Sequence, residues 1–289
     1  MKKPLRNILH PNPELIGINQ RNLQLVYPNN PRKFFHMVND KVTTKQLLVE
    51  NGIPVPETYS VVEHSWEISQ ALENIEAQQS FVVKPSNGSG GKGILILEKD
   101  INRAWETPGG RSISIDQLRM HIASIVYGAF GFEKADKCIM EQRIVPHPFF
   151  SEIYPSGVPD IRIIFLKGEP MMAMLRIPTR ASGGKANLHQ GALGTGIDME
   201  SGSITQGHYR KKFIHHHPDS GTGFHGLKIP YWNTCLEIGV AASGVVPLDY
   251  LGVDIIIDEQ FGPLIIELNA RPGLQIQNAN RKGLGHYLK

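Results

Sequence analysis

Hydrophobic positions along this chain recur with two different periods, and the change of period marks out its elements. Ile115, Leu118, Ile122, Ile125 and Val126 lie three and four residues apart or adjacent, which predicts an amphipathic helix. A helix is also predicted from an Asn39-Asp40 cap through Leu47 and Leu48, ended by Gly52 and the Pro54/Pro56 pair. Ser65 to Gln79 and Trp232 to Ala242 read as two more. Short apolar runs predict strands at Phe81 to Pro85, Gly93 to Leu97, Cys138 to Gln142, Asp160 to Leu166 and Met171 to Ile177. Lys167-Gly168-Glu169-Pro170 joins the last two. The first 38 or so residues are rich in Pro and Asn, and 179–230 is a long polar stretch, rich in Gly and His, with short strands. Strands and helices mixed without regular βαβ alternation indicate the α+β class.

Near the C-terminus the pattern predicts a hairpin, with Val253 to Ile257 and Leu264 to Asn269 joined through Glu259-Gln260-Phe261-Gly262. If the turn centres on Gln260 and Phe261, Asp254 faces Glu267 across the strands. Like charges directly opposed are destabilising, and a buried carboxylate without a partner costs far more. Side chains two apart share a face, so Asn269 points the same way as Glu267. Two carboxylates and an amide oxygen converging on one spot suit a hard cation such as Mg2+, and such a site implies a phosphate-bearing ligand.

A second feature follows the strand that ends in Lys84. The loop Ser86 to Lys92, continued by Gly93, holds glycines at 88, 90, 91 and 93. Glycine lets a backbone approach a ligand closely, and successive exposed N–H groups make an anion-binding nest. Lys84 and Lys92 add positive charge. A flexible hairpin loop is the plainer reading, and the segment fits neither the P-loop nor the GxGxxG pattern.

Bulk properties narrow the class further. A chain of 289 residues buries a substantial core, as one large domain or as two lobes. Its formal charge of +3 comes without a dense Lys/Arg stripe, so no nucleic-acid partner is expected. Cys138 and Cys235 alone make no disulfide framework and no CxxC metal site, which makes a reducing, cytoplasmic setting the default expectation. No long apolar run follows Met1, so neither a secretory signal nor a membrane span is expected. Consecutive side chains on a strand cannot all face one ion, so His215-His216-His217 reads as a polar loop near a substrate opening.

Several motifs occur in order: Lys41 in Asn-Asp-Lys; Gly52 to Thr58; Val82-Val83-Lys84-Pro85 with its glycine loop; and Glu267-Leu268-Asn269-Ala270-Arg271-Pro272-Gly273-Leu274. Together they resemble the ATP-grasp superfamily, from about residue 38 to the C-terminus. Asp160-Ile161-Arg162 and Ala186-Asn187-Leu188-His189-Gln190-Gly191 are similar to the RimK-type α-L-glutamate ligases. Pro218 to Gly221 and Ile229 to Trp232 resemble the ATP-grasp branch associated with sugar transfer. The resemblance implies an ATP-grasp fold in which two α+β lobes hold ATP: 1–37 as a short extension, 38–140 as the first lobe and 141–289 as the second. It implies phosphate contacts from Lys41, Lys84 and the loop residues Gly88, Ser89, Gly90 and Gly91. Glu141, Gln142, Arg143 and Ile144 become the hinge whose backbone reads adenine, and Asp160, Lys185 and Asn187 lie near the nucleotide. Gln142, Arg143 and Lys185 stand where these ligases usually carry a glutamate, an aromatic and an arginine. The metal set Asp254, Glu267 and Asn269 is implied again, holding Mg2+ or Mn2+, two ions in all.

The implied chemistry is ATP-dependent ligation of a carboxylate to an amine through an acylphosphate. The donor expected is glutamate or a similar amino acid, and the acceptor a peptide, protein or small amine. Arg162 and Arg176, on adjacent strands, are candidates to hold the acyl phosphate or a substrate carboxylate bidentately, and Arg271 is a third. Surface ion pairing is the plain alternative for each. If the segment around it is extended, His189 shares the face of Asn187 and either orients phosphate, acts as a base, or is simply packed. Phosphorylation of a sugar or polyol hydroxyl by the same fold is the competing reading, and a homo-oligomer is left open.

Overall fold

The computed structural model describes residues 14–87, 90–130 and 135–288. The chain divides into two compact units, one spanning His36–Val145 and the other formed by what precedes and follows it.

In the first unit, β1 (Thr58–Val62), β2 (Ser80–Pro85), β3 (Leu95–Lys99), β4 (Trp105–Glu106) and β5 (Cys138–Gln142) form an antiparallel sheet in the order β1-β5-β2-β3-β4. Strand alternation sends Phe81, Val83, Cys138 and Met140 into a core shared with Ile68, Ala71, Leu118, Ile122 and Ile125 of two helices, Ile68–Asn74 and Ile115–Val126. Ser114 and Gln117 cap the second helix reciprocally. By the same alternation the other face of the sheet carries Val82, Lys84, Ile139 and Glu141. The helix Lys41–Glu50 starts at Asp40, whose carboxylate accepts from the N–H groups of Val42 and Thr43.

Two predicted boundaries move. The helix expected over Ser65 to Gln79 is a 3-10 turn at Ser65–Glu67 followed by α-helix only to Asn74, whose side chain donates to Ser60 Oγ. β3 begins at Leu95 rather than Gly93, because Gly91 and Gly93 take positive φ angles that a strand does not accommodate.

The second unit holds a seven-stranded antiparallel sheet: β6 (Asp160–Leu166), β7 (Glu169–Ile177), β8 (Leu193–Ile197), β9 (Ile204–Tyr209), β10 (Lys212–Ile214), β11 (Tyr250–Asp258) and β12 (Gly262–Asn269). Its order is β10-β9-β8-β7-β6-β11-β12. The helix Trp232–Ser243 covers one face, and a Cβ at Gly239 would collide with the Phe165 ring at 2.7 Å. On the opposite face lie Asp160, Arg162, Arg176, Asp254 and Glu267. There the C-terminal segment approaches the sheet closely over Gly252, where an added Cβ would meet Pro272 at 2.7 Å.

Residues 18–29 form a helical run, and the chain that follows is pinned to this unit. Asn30 donates to the carbonyls of Tyr250 and Ala270 and accepts from Tyr250 N–H. Arg21 donates to the carbonyls of Arg271 and Pro272. The sequence reading sets 1–37 apart as an extension; in the structure 14–35 packs in the same unit as 146–288. Among the described residues no helix is long and apolar enough to cross a membrane.

Candidate functional site

The β11–β12 hairpin places Asp254 opposite Glu267, as its sequence predicts, but by a different route. Asp258 pairs with Gly262, so three residues rather than two make the turn, and a bulge between Asp254 and Ile255 restores the register. β11 also pairs with β6, setting Arg162 on the other side of Asp254, while Asp160 of β6 faces Arg176 of β7. Four adjacent strands thus deliver two arginines and three carboxylates to one patch.

Arg162 clasps Asp254 with two parallel bonds, Nε to Oδ1 at 2.7 Å and Nη2 to Oδ2 at 2.6 Å. Arg176 clasps Asp160 in the same manner and donates through Nη2 to Asp254 Oδ2 at 2.8 Å. Asn269 completes the set, its Nδ2 donating a hydrogen bond to Asp254 Oδ2 at 3.3 Å. Burial works against the Asp254 charge, yet Arg162 and Arg176 outweigh it and pull the carboxyl down to about 2. Asp160 moves the other way, pushed up to about 6 chiefly by burial, against the pull of Arg176. The expected bidentate hold of Arg162 and Arg176 on a substrate is therefore turned inward. Their forks grip protein carboxylates, and only Nη1 of each has no acceptor among the described residues.

Asp254, Glu267 and Asn269 carry hard oxygen donors of the kind a divalent cation takes, although here Asn269 turns its amide nitrogen, not its oxygen, to Asp254. Among the described residues no three His, Cys, Asp or Glu side chains converge as a complete cage. The donor chemistry fits a hard cation, with an ionised Asp254 and a cross-strand glutamate, while both Asp254 oxygens are here engaged by Arg162 and Arg176.

The first unit contributes a separate cationic cluster. Glu141 is buried and pairs with both Lys84 and Lys45. Burial opposes its charge, but the two ammonium groups hold the carboxyl below its ordinary range. Sequence reasoning missed Lys45, although it stands one helical turn beyond Lys41, where i and i+4 share a face. Lys41 donates to the carbonyl of Ser86, and Ser86 Oγ donates to Asp40. Asn87 donates through its backbone and side chain to Asp136, so the N-terminal side of the glycine loop is tied down. Gly90, Gly91 and Gly93 all have positive φ; Gly88 and Ser89 lie outside the described residues.

Other expectations change. Asn187 and His189 are not on an extended segment: Asn187 caps a 3-10 turn, Leu188–Gln190, by accepting from the His189 N–H at 2.9 Å. His189 is exposed, with Nδ1 3.4 Å from the Gln275 amide nitrogen, and Lys185 is exposed beside it in sequence. Arg271 lies over the Phe35 ring, 5.4 Å from its centroid, and has no carboxylate partner among the described residues. In the segment expected to be the hinge, Gln142 uses its side chain to accept from Glu57 N–H, Arg143 pairs with Glu98, and Ile144 is half-buried. The three consecutive histidines diverge. His215 stacks on His225, His216 bridges to Gly223, and His217 is buried against Pro178 O and the Tyr154 ring. Burial pushes both the Cys138 and Cys235 thiols up to about 12, so neither is a ready nucleophile.

An antiparallel α+β sheet pair with a carboxylate–amide hairpin and a glycine loop anchored beside lysines defines an ATP-grasp protein. The sequence model of the sugar-transfer associated ATP-grasp family matches residues 20–289, and the chain belongs to that family. It is 25% identical over 258 residues to a probable alpha-L-glutamate ligase of Maridesulfovibrio salexigens, covering 89% of this chain and 64% of that protein. It is 21% identical over 246 residues to N-acetylaspartylglutamate synthase A of Homo sapiens, covering 85% and 46% respectively. The chain thus spans less than two thirds of the length of either relative. A crystal structure of D-alanine–D-alanine ligase from Bacillus anthracis superposes with a TM-score of 0.50 at 15% identity, over 87% of this chain and 65% of that one, which is a likeness of fold.

Proposed function

We propose that the chain is an ATP-dependent carboxylate–amine ligase that adds glutamate or a similar amino acid to a peptide, protein or other amine. The observation that carries this reading is the Arg162–Asp254–Arg176–Asp160 network directly beside Glu267 and Asn269. In the reaction a donor carboxylate oxygen attacks the γ-phosphorus of ATP and ADP leaves. The amine then attacks the acyl carbon of the resulting acylphosphate, loses a proton and expels phosphate. Such chemistry needs charge neutralisation and positioning rather than a protein nucleophile.

Lys41, Lys84 and Lys45 neutralise phosphate charge in this reading, and the loop through Gly90 and Gly91 supplies N–H donors; the backbone of 141–144 reads adenine. Glu141 holds Lys45 and Lys84 in place. Asp254, Glu267 and Asn269 hold Mg2+ or Mn2+, which supplies Lewis-acid stabilisation of phosphate oxygens when bound. Arg162 and Arg176 keep Asp254 ionised and offer their remaining Nη1 groups to the acyl phosphate. Asp160 orients Arg176 from below, and Lys185, Asn187 and His189 border the acceptor side.

The test is ADP and phosphate release with Mg-ATP across an amino-acid panel, with and without amines, followed by mass spectrometry. Amine-dependent release with a product one residue heavier supports the ligase. The family's association with sugar transfer keeps one rival, a sugar or polyol kinase. A stable phosphorylated sugar or polyol, formed without any amine, would replace the ligase with that kinase.

A further inference from the structure

The outer end of the seven-stranded sheet carries a concentration of positive charge that none of the catalytic assignments uses. β9 and β10 are joined by a two-residue turn, Arg210-Lys211, with Tyr209 paired to Lys212. Both turn residues have positive φ, 46° and 65°. A two-residue hairpin turn of this kind favours Asn-Gly, since longer side chains pay a steric penalty in the left-handed region. The chain places two long cations there instead.

A third cation arrives from far along the sequence. Arg281, at the end of the helix Gln275–Asn280, also has positive φ, and its guanidinium lies over the Phe213 ring of β10 at 4.8 Å. Lys282 follows it. Arg210, Lys211, Lys212 and Arg281 are exposed, and none of these or Lys282 has an ion-pair partner among the described residues. The surrounding sequence offers none locally: no Asp or Glu occurs from Ser201 to Pro218 or from Leu268 to Lys289. β10 is the outermost strand, so an extended backbone can lie along its open edge.

We propose that the β9–β10 hairpin and the Arg281-Lys282 turn form a docking surface for an acidic polypeptide segment. We favour a peptide over a nucleic acid because the nearby rings already carry the chain's own cations. Arg210 lies over Tyr209 at 5.2 Å and Arg281 over Phe213, so one face of each ring is closed to a stacking base. An edge-strand lysine also discourages unwanted strand addition. That role asks for one charge on β10, not for two more in the turn and another brought in from residue 281.

Fluorescence anisotropy of a labelled oligo-glutamate peptide against the full chain, without ATP, tests the surface. Arg210→Asn with Lys211→Gly installs the residues such a turn prefers, and Arg281→Asn suits a left-handed cap, so the triple variant melts no lower than wild type. The expected result is binding that weakens with salt and falls roughly tenfold in the triple variant. Lys212→Gln, which leaves the turn untouched, gives a smaller loss. No measurable binding by wild type, or equal affinity in the triple variant, overturns the proposal. So does equal or tighter binding of oligo-glutamine, of a single-stranded oligonucleotide, or of phosphatidylcholine–phosphatidylserine vesicles. The assay contains neither nucleotide nor amine, so its failure leaves the ligase reading standing, and the reverse holds too.

Discussion

Asp254 shows how one side chain can look like two things. Read from its hairpin it is a candidate metal ligand; in the fold it is the shared acceptor of two arginines and an amide. In the proposed metal site Glu267 is then the carboxylate on which cation binding depends most. Glu267→Ala is expected to abolish Mg-dependent turnover while the melting temperature stays near wild type; undiminished activity would remove the metal assignment. On the other unit, Lys84→Ala and Lys45→Ala should each weaken ATP binding by about tenfold, roughly 1.4 kcal/mol, by calorimetry. Glu141→Gln should instead cost stability, about 3–5 kcal/mol in urea unfolding, because it leaves two half-buried ammonium groups without their counter-charge. Unchanged nucleotide affinity in both lysine variants would return that cluster to a purely structural role.

At the scale of elements, local pattern predicted well where one period dominated. Cys138–Gln142, Asp160–Leu166 and Ile115–Val126 match their apolar spacing residue for residue. It failed where side chains bond their own backbone, as at the Asn187 turn, because such capping competes with extended structure and leaves little periodic trace. The 179–230 stretch is held by one such arrangement. His217 donates through Nε2 to Pro178 O and accepts at Nδ1 from the N–H groups of Asp219 and Ser220. Burial lowers its pKa, so the folded state prefers the neutral ring. The unfolded chain takes up the proton near the ordinary value of about 6.5, so this stabilisation is full above that pH and lost as pH falls below it. His217→Gln should therefore cost more stability at about pH 8 than at about pH 5 in urea unfolding. A gap that is equal at both would show that this ring does not titrate on unfolding.

Across the whole molecule, residues 14–35 are structural rather than appended. Asn30 is 2% exposed and satisfies two carbonyls and one N–H of the sheet unit. Asn30→Ala would strand all three, and is expected to destabilise by about 2–4 kcal/mol in urea unfolding. A variant as stable as wild type would show that water replaces the amide at no cost. Nothing in the local sequence signals this role, because each partner lies more than 200 residues away.

The sequence by itself determined the α+β class, the position along the chain of most strands, the pairing of Asp254 with Glu267 and the glycine loop after Lys84. These follow from side-chain period and turn chemistry, which act over a few residues. Only the tertiary structure decided what those residues touch. It brought Arg162 and Arg176 onto protein carboxylates, Lys45 onto Glu141, Arg281 onto Phe213 and Asn30 onto β11. Charge pairing and buried hydrogen bonding select partners by distance in space, and sheet register, not sequence separation, sets that distance.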